Sequence, residues 1–183
     1  MDQTPNHPDQ NAVIRVGPAG WAYDDWNGIV YPATMPRSQH PLALLSEWFD
    51  TVELNVTFYR LPDAKMTGAW LRHIAGNPAF QFTAKLWQGF THESAETPEP
   101  AAVAAYCAGL RPLRDAGRLG PLLAQFPMGF RRTPENRVRL ARLADAFEGW
   151  LLAVEVRHAS WDHPDFYRGL EERGVALCAV DQP

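Results

Sequence analysis

Seven residues place charge or hydrogen-bonding capacity in or just after short apolar runs: Glu53, Asn55, Lys85, Gln125, Glu155, Arg157 and Asp181. Carboxylates and cations sharing one cavity can move protons. Burial raises a carboxyl pKa and a nearby cation lowers it, so their balance sets a general acid or base. Arg157, with its planar fork, and Lys85, as a point charge, can hold a phosphate or carboxylate. A Schiff base on Lys85 would need a desolvated amine, and the acidic neighbours oppose that. His92 and His158 follow the runs that carry Lys85 and Arg157, and an imidazole ordinarily titrates near neutrality.

The same residue types raise the question of a metal. Glu53, His92, Glu155, His158 and Asp181 are ligand types that suit Mn, Mg or Zn. Against this, the chain has no HxH or HExxH spacing, and Lys85 and Arg157 would neutralise the carboxylates without an ion. A site without a cofactor is therefore the expectation, with a divalent metal as the lesser alternative.

The elements that must position these residues alternate. Apolar runs at Val13 to Gly17, Thr51 to Asn55, Ala79 to Lys85, Pro121 to Phe126, Leu152 to Arg157 and Val175 to Asp181 read as six buried strands. Between them lie helix-period segments: Pro41 to Phe49, Asp63 to Ala75, Pro100 towards Ala116, a helix capped by Thr133, and a shorter one after Asp162. Gly117 and Gly174 stand where helices stop. Strand–helix alternation implies parallel strands joined by crossovers.

Side-chain parity then separates two architectures. Glu53 with Asn55, Gln81 with Thr83 and Lys85, Gln125, Glu155 with Arg157, and Asp181 all fall on faces opposite apolar neighbours. A doubly wound sheet, covered by helices on both sides, should be apolar on both faces. A barrel needs one apolar face against its helices and tolerates polar groups at its carboxyl mouth. No strand is followed by GxGxxG or GxxxxGK[ST], so the nucleotide-binding open sheets lack their marker. The expected fold is therefore a (β/α)8 TIM-barrel-like α/β fold, reduced to about six β/α units and open. An inert salt-bridge plug, pairing Glu53 with Lys85 and Glu155 with Arg157, is the non-functional alternative.

Composition narrows the function further. The chain has 183 residues, a formal net charge of −4 and no long basic run, which argues against nucleic acid as a partner. No apolar stretch approaches the roughly 20 residues of a membrane span. Residues 1–12 read as a disordered tail and 13–183 as one domain, with no secretory or transit signature. Two cysteines, Cys107 and Cys178, lack CxxC spacing and read as buried thiols in a reducing, cytoplasmic compartment.

Aromatic residues crowd the loops over the expected mouth. Trp21 and Tyr23 follow the first run, Tyr59 follows the second, and Trp161 follows Arg157; they are candidates for substrate stacking, with loop packing as the alternative. Arg111, Arg114 and Arg118, and Arg131 through Arg142, read as solvated outer helix faces. They also admit a non-catalytic protein that docks nucleic acid or an acidic partner.

Ordered motifs carry a resemblance. Gly20-Trp21-Ala22-Tyr23 with Trp26 and Tyr31-Pro32, Val52-Glu53-Leu54-Asn55 with Thr57-Phe58-Tyr59-Arg60, Phe82 to Lys85, and Thr91-His92 are followed by Gln125-Phe126-Pro127. Glu155-Val156-Arg157-His158 with Ser160-Trp161 and Val180-Asp181-Gln182-Pro183 complete the series. Together they resemble the YecE-like family (domain of unknown function 72) over nearly the whole chain after the tail. The resemblance implies a TIM barrel akin to sugar-isomerase and endonuclease IV barrels, and implies no established activity. It also implies that a seventh and eighth strand would follow the sixth.

A complete TIM barrel needs about 250 residues. An arc of six strands would leave edges that invite self-association. The expected function is acid–base chemistry, hydrolytic or isomerising, on a small anionic or sugar-like substrate. Glu53, Lys85, His92, Glu155, His158 and Asp181 are the catalytic candidates. Trp21, Tyr23, Asn55, Tyr59, Gln125, Arg157 and Trp161 are the substrate-binding candidates.

Overall fold

The computed structural model describes residues 12–36, 38–93 and 97–181. The tail expected at 1–12 lies outside these residues except for Ala12, and so do Gln182 and Pro183. The sheet has five parallel strands in the order β1-β2-β3-β4-β5: β1 Thr51–Leu54, β2 Gln81–Lys85, β3 Leu119–Gln125, β4 Leu152–Glu155 and β5 Ala176–Leu177. Helix α1 (Pro41–Trp48) precedes β1. Helices α2 (Val56–Tyr59) and α3 (Ala64–His73) join β1 to β2, and α4 (Gln88–Thr91) and α5 (Pro100–Asp115) join β2 to β3. Helix α6 (Pro134–Ala146) leads to β4, and α7 (Pro164–Glu172) to β5.

Every strand pairs with its neighbour in sequence, so the order has no reversal point of the kind a doubly wound sheet requires. Crossovers that share one hand and always step in the same direction place their helices on one face. Burial agrees. Val52, Leu54, Phe82, Ala84, Leu122, Ala124 and Val154 are sealed against the helices, while Glu53, Gln81, Thr83, Lys85 and Gln125 are only half-buried. The core continues through Leu42, Leu45, Trp70, Tyr106, Leu110, Leu140, Leu143 and Phe147.

The helices start where polar caps supply acceptors for their free N–H groups. Asp63 accepts from Met66 N at 3.0 Å, Glu99 from Ala102 N at 3.0 Å, and Thr133 from Asn136 N at 3.3 Å. Helix α7 is capped by His163, whose Nδ1 accepts from Asp165 N at 3.1 Å, one residue after the expected Asp162. Gly117 and Gly174 take φ values of +66° and +62° after their helices, as chain reversal there requires.

One irregularity fixes which side chains meet at the site. Phe82 pairs with Leu119 but Ala84 with Leu122, so β3 carries an extra residue around Gly120-Pro121. That shift aligns Lys85 with Leu123, and hence with the face of Gln125.

The first expected strand is not where the sequence suggests. Val13, Ile14 and Val16 are 72%, 87% and 67% exposed, and pairing with β1 is confined to a bridge between Ala19 and Glu53. Glu53 N donates to Pro18 O at 3.0 Å, and Gly20 N donates to Glu53 O at 2.9 Å. Gly17 explains the offset: a Cβ there would fall 1.7 Å from Thr51 O, so the chain closes on the start of β1 at this glycine and bridges Glu53 just after it. The last expected strand shortens from Val175–Asp181 to two residues, Ala176–Leu177, at the edge of the sheet. The described chain thus has five strands and one bridging segment rather than six strands.

Candidate functional site

The polar face of the sheet gathers its ionisable groups at the carboxyl ends of the strands. Gln125 and Glu155 are directly paired in the ladder, and Lys85 aligns with Leu123 one pleat earlier. Glu155 is 4% exposed, and a carboxylate buried there needs partners. Its Oε1 accepts from Gln125 Nε2 at 2.6 Å and from Arg157 Nε at 2.7 Å. The expected Glu155–Arg157 pair is therefore formed. The expected Glu53–Lys85 pair is not: among the described residues the two sense each other's charge without closing to an ion pair.

Glu53 is positioned by the bridging segment, which binds its backbone on both sides. Burial pushes its carboxyl above the usual range; Lys85 opposes the shift and Glu155 adds to it. Lys85 sits with its Nζ 4.9 Å from the centroid of Phe58. Its carbonyl accepts from Thr57 Oγ1 at 2.7 Å and from Tyr106 Oη at 2.9 Å, which fixes the end of β2. His92, just past α4, packs edge-on against Phe58 with ring centroids 5.0 Å apart, and its Nδ1 lies 2.9 Å from Thr91 Oγ1. Burial pushes the imidazole below its usual range, and Lys85, Arg139 and Arg157 push in the same direction. Glu53, Lys85, Gln125, Glu155, Arg157 and His92 thus form one electrostatic cluster.

The other candidates separate. His158 accepts from Ser160 N at 3.0 Å and caps the short helical turn at Ala159–Trp161. It also lines, with Arg157, a cavity of about 490 Å³ beside β4 and β5. Asn55 is half-buried at the start of α2, and Tyr59 is 70% exposed against the edge of Phe58. Trp21 packs edge-on against Trp70 and His40, with ring centroids at 5.3 and 5.9 Å. Tyr23 donates to Ala19 O and packs on Trp26. Trp161 is 3% exposed, stacks on Phe130 and donates to its carbonyl at 2.7 Å. Trp21, Tyr23 and Trp161 are thus packed within their loops, and Trp161 also lines the cavity that Arg157 and His158 share.

Asp181 is exposed beyond the end of β5. Val154 pairs with Leu177 and Val154 O accepts from Cys178 N at 2.8 Å, so the next position opposite Glu155 belongs to Cys178. Burial pushes the Cys178 thiol up, and the charges of Glu155 and Glu53 add to the shift. Both cysteines are free and half-buried.

Sequence reasoning missed Arg139. This α6 residue donates from Nη2 to Thr91 O at 2.9 Å, and its guanidinium lies 5.5 Å from the Phe130 centroid. It therefore belongs to the His92 surroundings and not to a solvated face. The available signal was its position next to Leu140, on the border of the apolar stripe. Among the described residues, no three His, Cys, Asp or Glu side chains converge as metal ligands would. No helix among them is long and apolar enough to cross a membrane.

A singly wound parallel α/β sheet with this polar carboxyl end defines a recognisable class. Residues 15–183 match the family described as "Protein of unknown function DUF72", and the chain belongs to that family. It is 31% identical to the UPF0759 protein YunF of Bacillus subtilis (strain 168) over 179 residues, covering 93% of this chain and 61% of that protein. A DUF72 family protein of Thermotoga maritima superposes with a TM-score of 0.78 at 32% identity, over 92% of this chain and 65% of that one. A DUF72 family protein of Enterococcus faecalis gives a TM-score of 0.77 at 23% identity, over 93% and 62% of the two chains. The chain thus spans less than two thirds of the length of these relatives.

Proposed function

We propose that the cluster is an acid–base site, hydrolytic or isomerising, for a small anionic or sugar-like substrate. The observation that carries this is the contrast between two carboxylates on one face. Glu155 is ion-paired with Arg157 and hydrogen-bonded by Gln125, whereas Glu53 has no ion pair among the described residues and burial, with the charge of Glu155, pushes its carboxyl up. A carboxyl held above its usual range by burial is suited to give and take a proton near neutral pH. Glu53 then exchanges the proton, Lys85 and the remaining Arg157 donors hold the anion, and His92, disfavoured as a cation, accepts a hydrogen bond or proton. Exposed Tyr59 supplies an aromatic edge at the rim. This chemistry needs no resident metal or cofactor.

The sheet is, in this reading, an arc of a (β/α)8 barrel. Three strand spacings would separate Glu53 from Glu155 by about 14 Å on a flat sheet, too far for strong mutual repulsion in a wet site. Glu53 of β1 nevertheless acts on both Glu155 of β4 and Cys178 beyond β5, as inward curvature allows. Free thiols fit a reducing cytoplasm. The alternative of arginine-led docking is less favoured, because Arg139 and Arg142 are engaged within the chain, the latter with Thr97 Oγ1 at 3.1 Å.

A thermal-shift screen of a metabolite library, run on this chain and on YunF, tests the assignment. Small carboxylates, phosphates or acidic sugars should raise the melting temperature, and Arg157→Met should remove the shift. Hits confined to neutral compounds, or hits indifferent to Arg157→Met, would refute the anionic site.

A further inference from the structure

The helical layer contains a second cavity, away from the polar face. It occupies about 470 Å³ between α6 and α7, with Val154 of β4 at its floor. Leu140 and Ala144 on one side and Phe166 and Leu170 on the other make its walls apolar. The volume falls within the usual range for small-ligand pockets. Its shape is elongated: the α6 lining runs from Pro134 to Ala144, about 15 Å of helix.

One end is cationic. Arg132, Arg137 and Asp165 line the end formed by the two helix N-termini. Arg132 pairs with Asp165 at 3.5 Å, and Arg168 binds the same carboxylate. Asp165 is thus shared by Arg132 and Arg168, and Arg137 lines the same end. Arg137 makes no ion pair among the described residues, and the Arg132 Nε–H is buried without an acceptor among them. The exposed Arg137 guanidinium is the group that an incoming oxygen anion can meet. At the far end, Arg173 is already matched by Asp145 at 3.6 Å. Only the first end has charge to spare.

We propose that this groove binds a linear amphiphile with an anionic head, such as a free fatty carboxylate. Its chain lies along Leu140, Phe166 and Leu170, and its head meets Arg132 and Arg137. The site is independent of the acid–base cluster and stands or falls separately from it.

Gly169 supplies the test. It lines the groove on α7 with ordinary helical backbone, and a Cβ there would meet nothing within 4 Å. Gly169→Leu therefore fills the groove while favouring the helix. Calorimetric titration of the full chain with dodecanoate, below its micellar concentration, should show saturable binding. Gly169→Leu should weaken it about tenfold or more and raise the melting temperature of the free protein. Arg137→Glu should weaken dodecanoate about tenfold and leave dodecanol unchanged. Absence of saturable heat, undiminished binding by a folded Gly169→Leu variant, or equal affinity for dodecanol and dodecanoate would each overturn the proposal.

Discussion

Arg157 Nε lies 2.7 Å from Glu155 Oε1, and the two residues share a face because they are two apart in extended chain. The acid is almost sealed, at 5% side-chain exposure, while the arginine retains 29%. Arginine is suited to this place, since one N–H fixes the carboxylate and the rest of its fork remains for a second anion. The pair thus stabilises the strand end and presents charge outward. Glu155→Ala should cost about 3 kcal/mol in urea denaturation, because it strands Arg157 and Gln125 without their acceptor. An unchanged urea midpoint would show that the pair has no structural share.

Glu53 makes the opposite contribution. Its carboxyl titrates above its unfolded value, so the folded state holds the proton more tightly. The stability it confers is complete below the unfolded pKa and is lost as pH rises through the folded one. At neutral pH the group is therefore a net strain on the fold. Glu53→Gln should stabilise the chain by about 1 kcal/mol at pH 7, raising the melting temperature by about 3 °C, and should abolish turnover of any substrate found. The gain should vanish in acid. A variant destabilised at pH 7 would contradict the burial argument.

His92 carries the reverse sign. Its folded pKa lies below the ordinary imidazole value, so its contribution is present above that value and fades as pH falls through the folded one. Burial leads the shift, and Lys85 is the foremost of the cations behind it. Lys85→Met should move the His92 titration, followed by its ring-proton NMR signals, upward towards an ordinary imidazole. A titration that stays in place would remove Lys85 from the causes of the shift and leave burial with Arg139 and Arg157.

The legible part of the fold was its parity. Alternation within Thr51–Leu54, Gln81–Lys85 and Leu152–Glu155 separates core from polar positions without reference to partners, and the Glu155–Arg157 pair follows from it. The run ending at Asp181 is apolar at nearly every position, so parity there had nothing to grip, and register alone identifies Cys178. The start of the chain failed for another reason. Val13, Ile14 and Val16 make a short apolar run bounded by glycine, as a buried strand would, but the place of contact is dictated by the missing Cβ of Gly17 against Thr51. Arg139 shows a third limit: the long stem of arginine carries its head away from the helix position that periodicity assigns.

The loop aromatics divide into anchors and free faces, and mutation separates them. Trp21→Ala removes contacts with Trp70 and His40 and should cost about 3 kcal/mol in chemical denaturation. Tyr59→Ala touches a residue that is 70% exposed and should change stability by less than about 0.5 kcal/mol. If the acid–base reading holds, Tyr59→Ala weakens the ligand found by screening. Equal losses of stability from both variants would remove the distinction.

The two ends of the sheet present the last consequence. In β5 and just past it, Leu177 and Val180 are 46% and 41% exposed, and at the other edge Val13, Ile14 and Val16 are more so. Strand edges with apolar side chains pair readily with other chains, and charge on such an edge prevents it. This chain should therefore self-associate with rising concentration in sedimentation velocity. Leu177→Lys should shift it towards monomer with little loss of stability, since the side chain already faces water. A monomer at all concentrations, or association indifferent to Leu177→Lys, would mean that the β5 edge is not the contact.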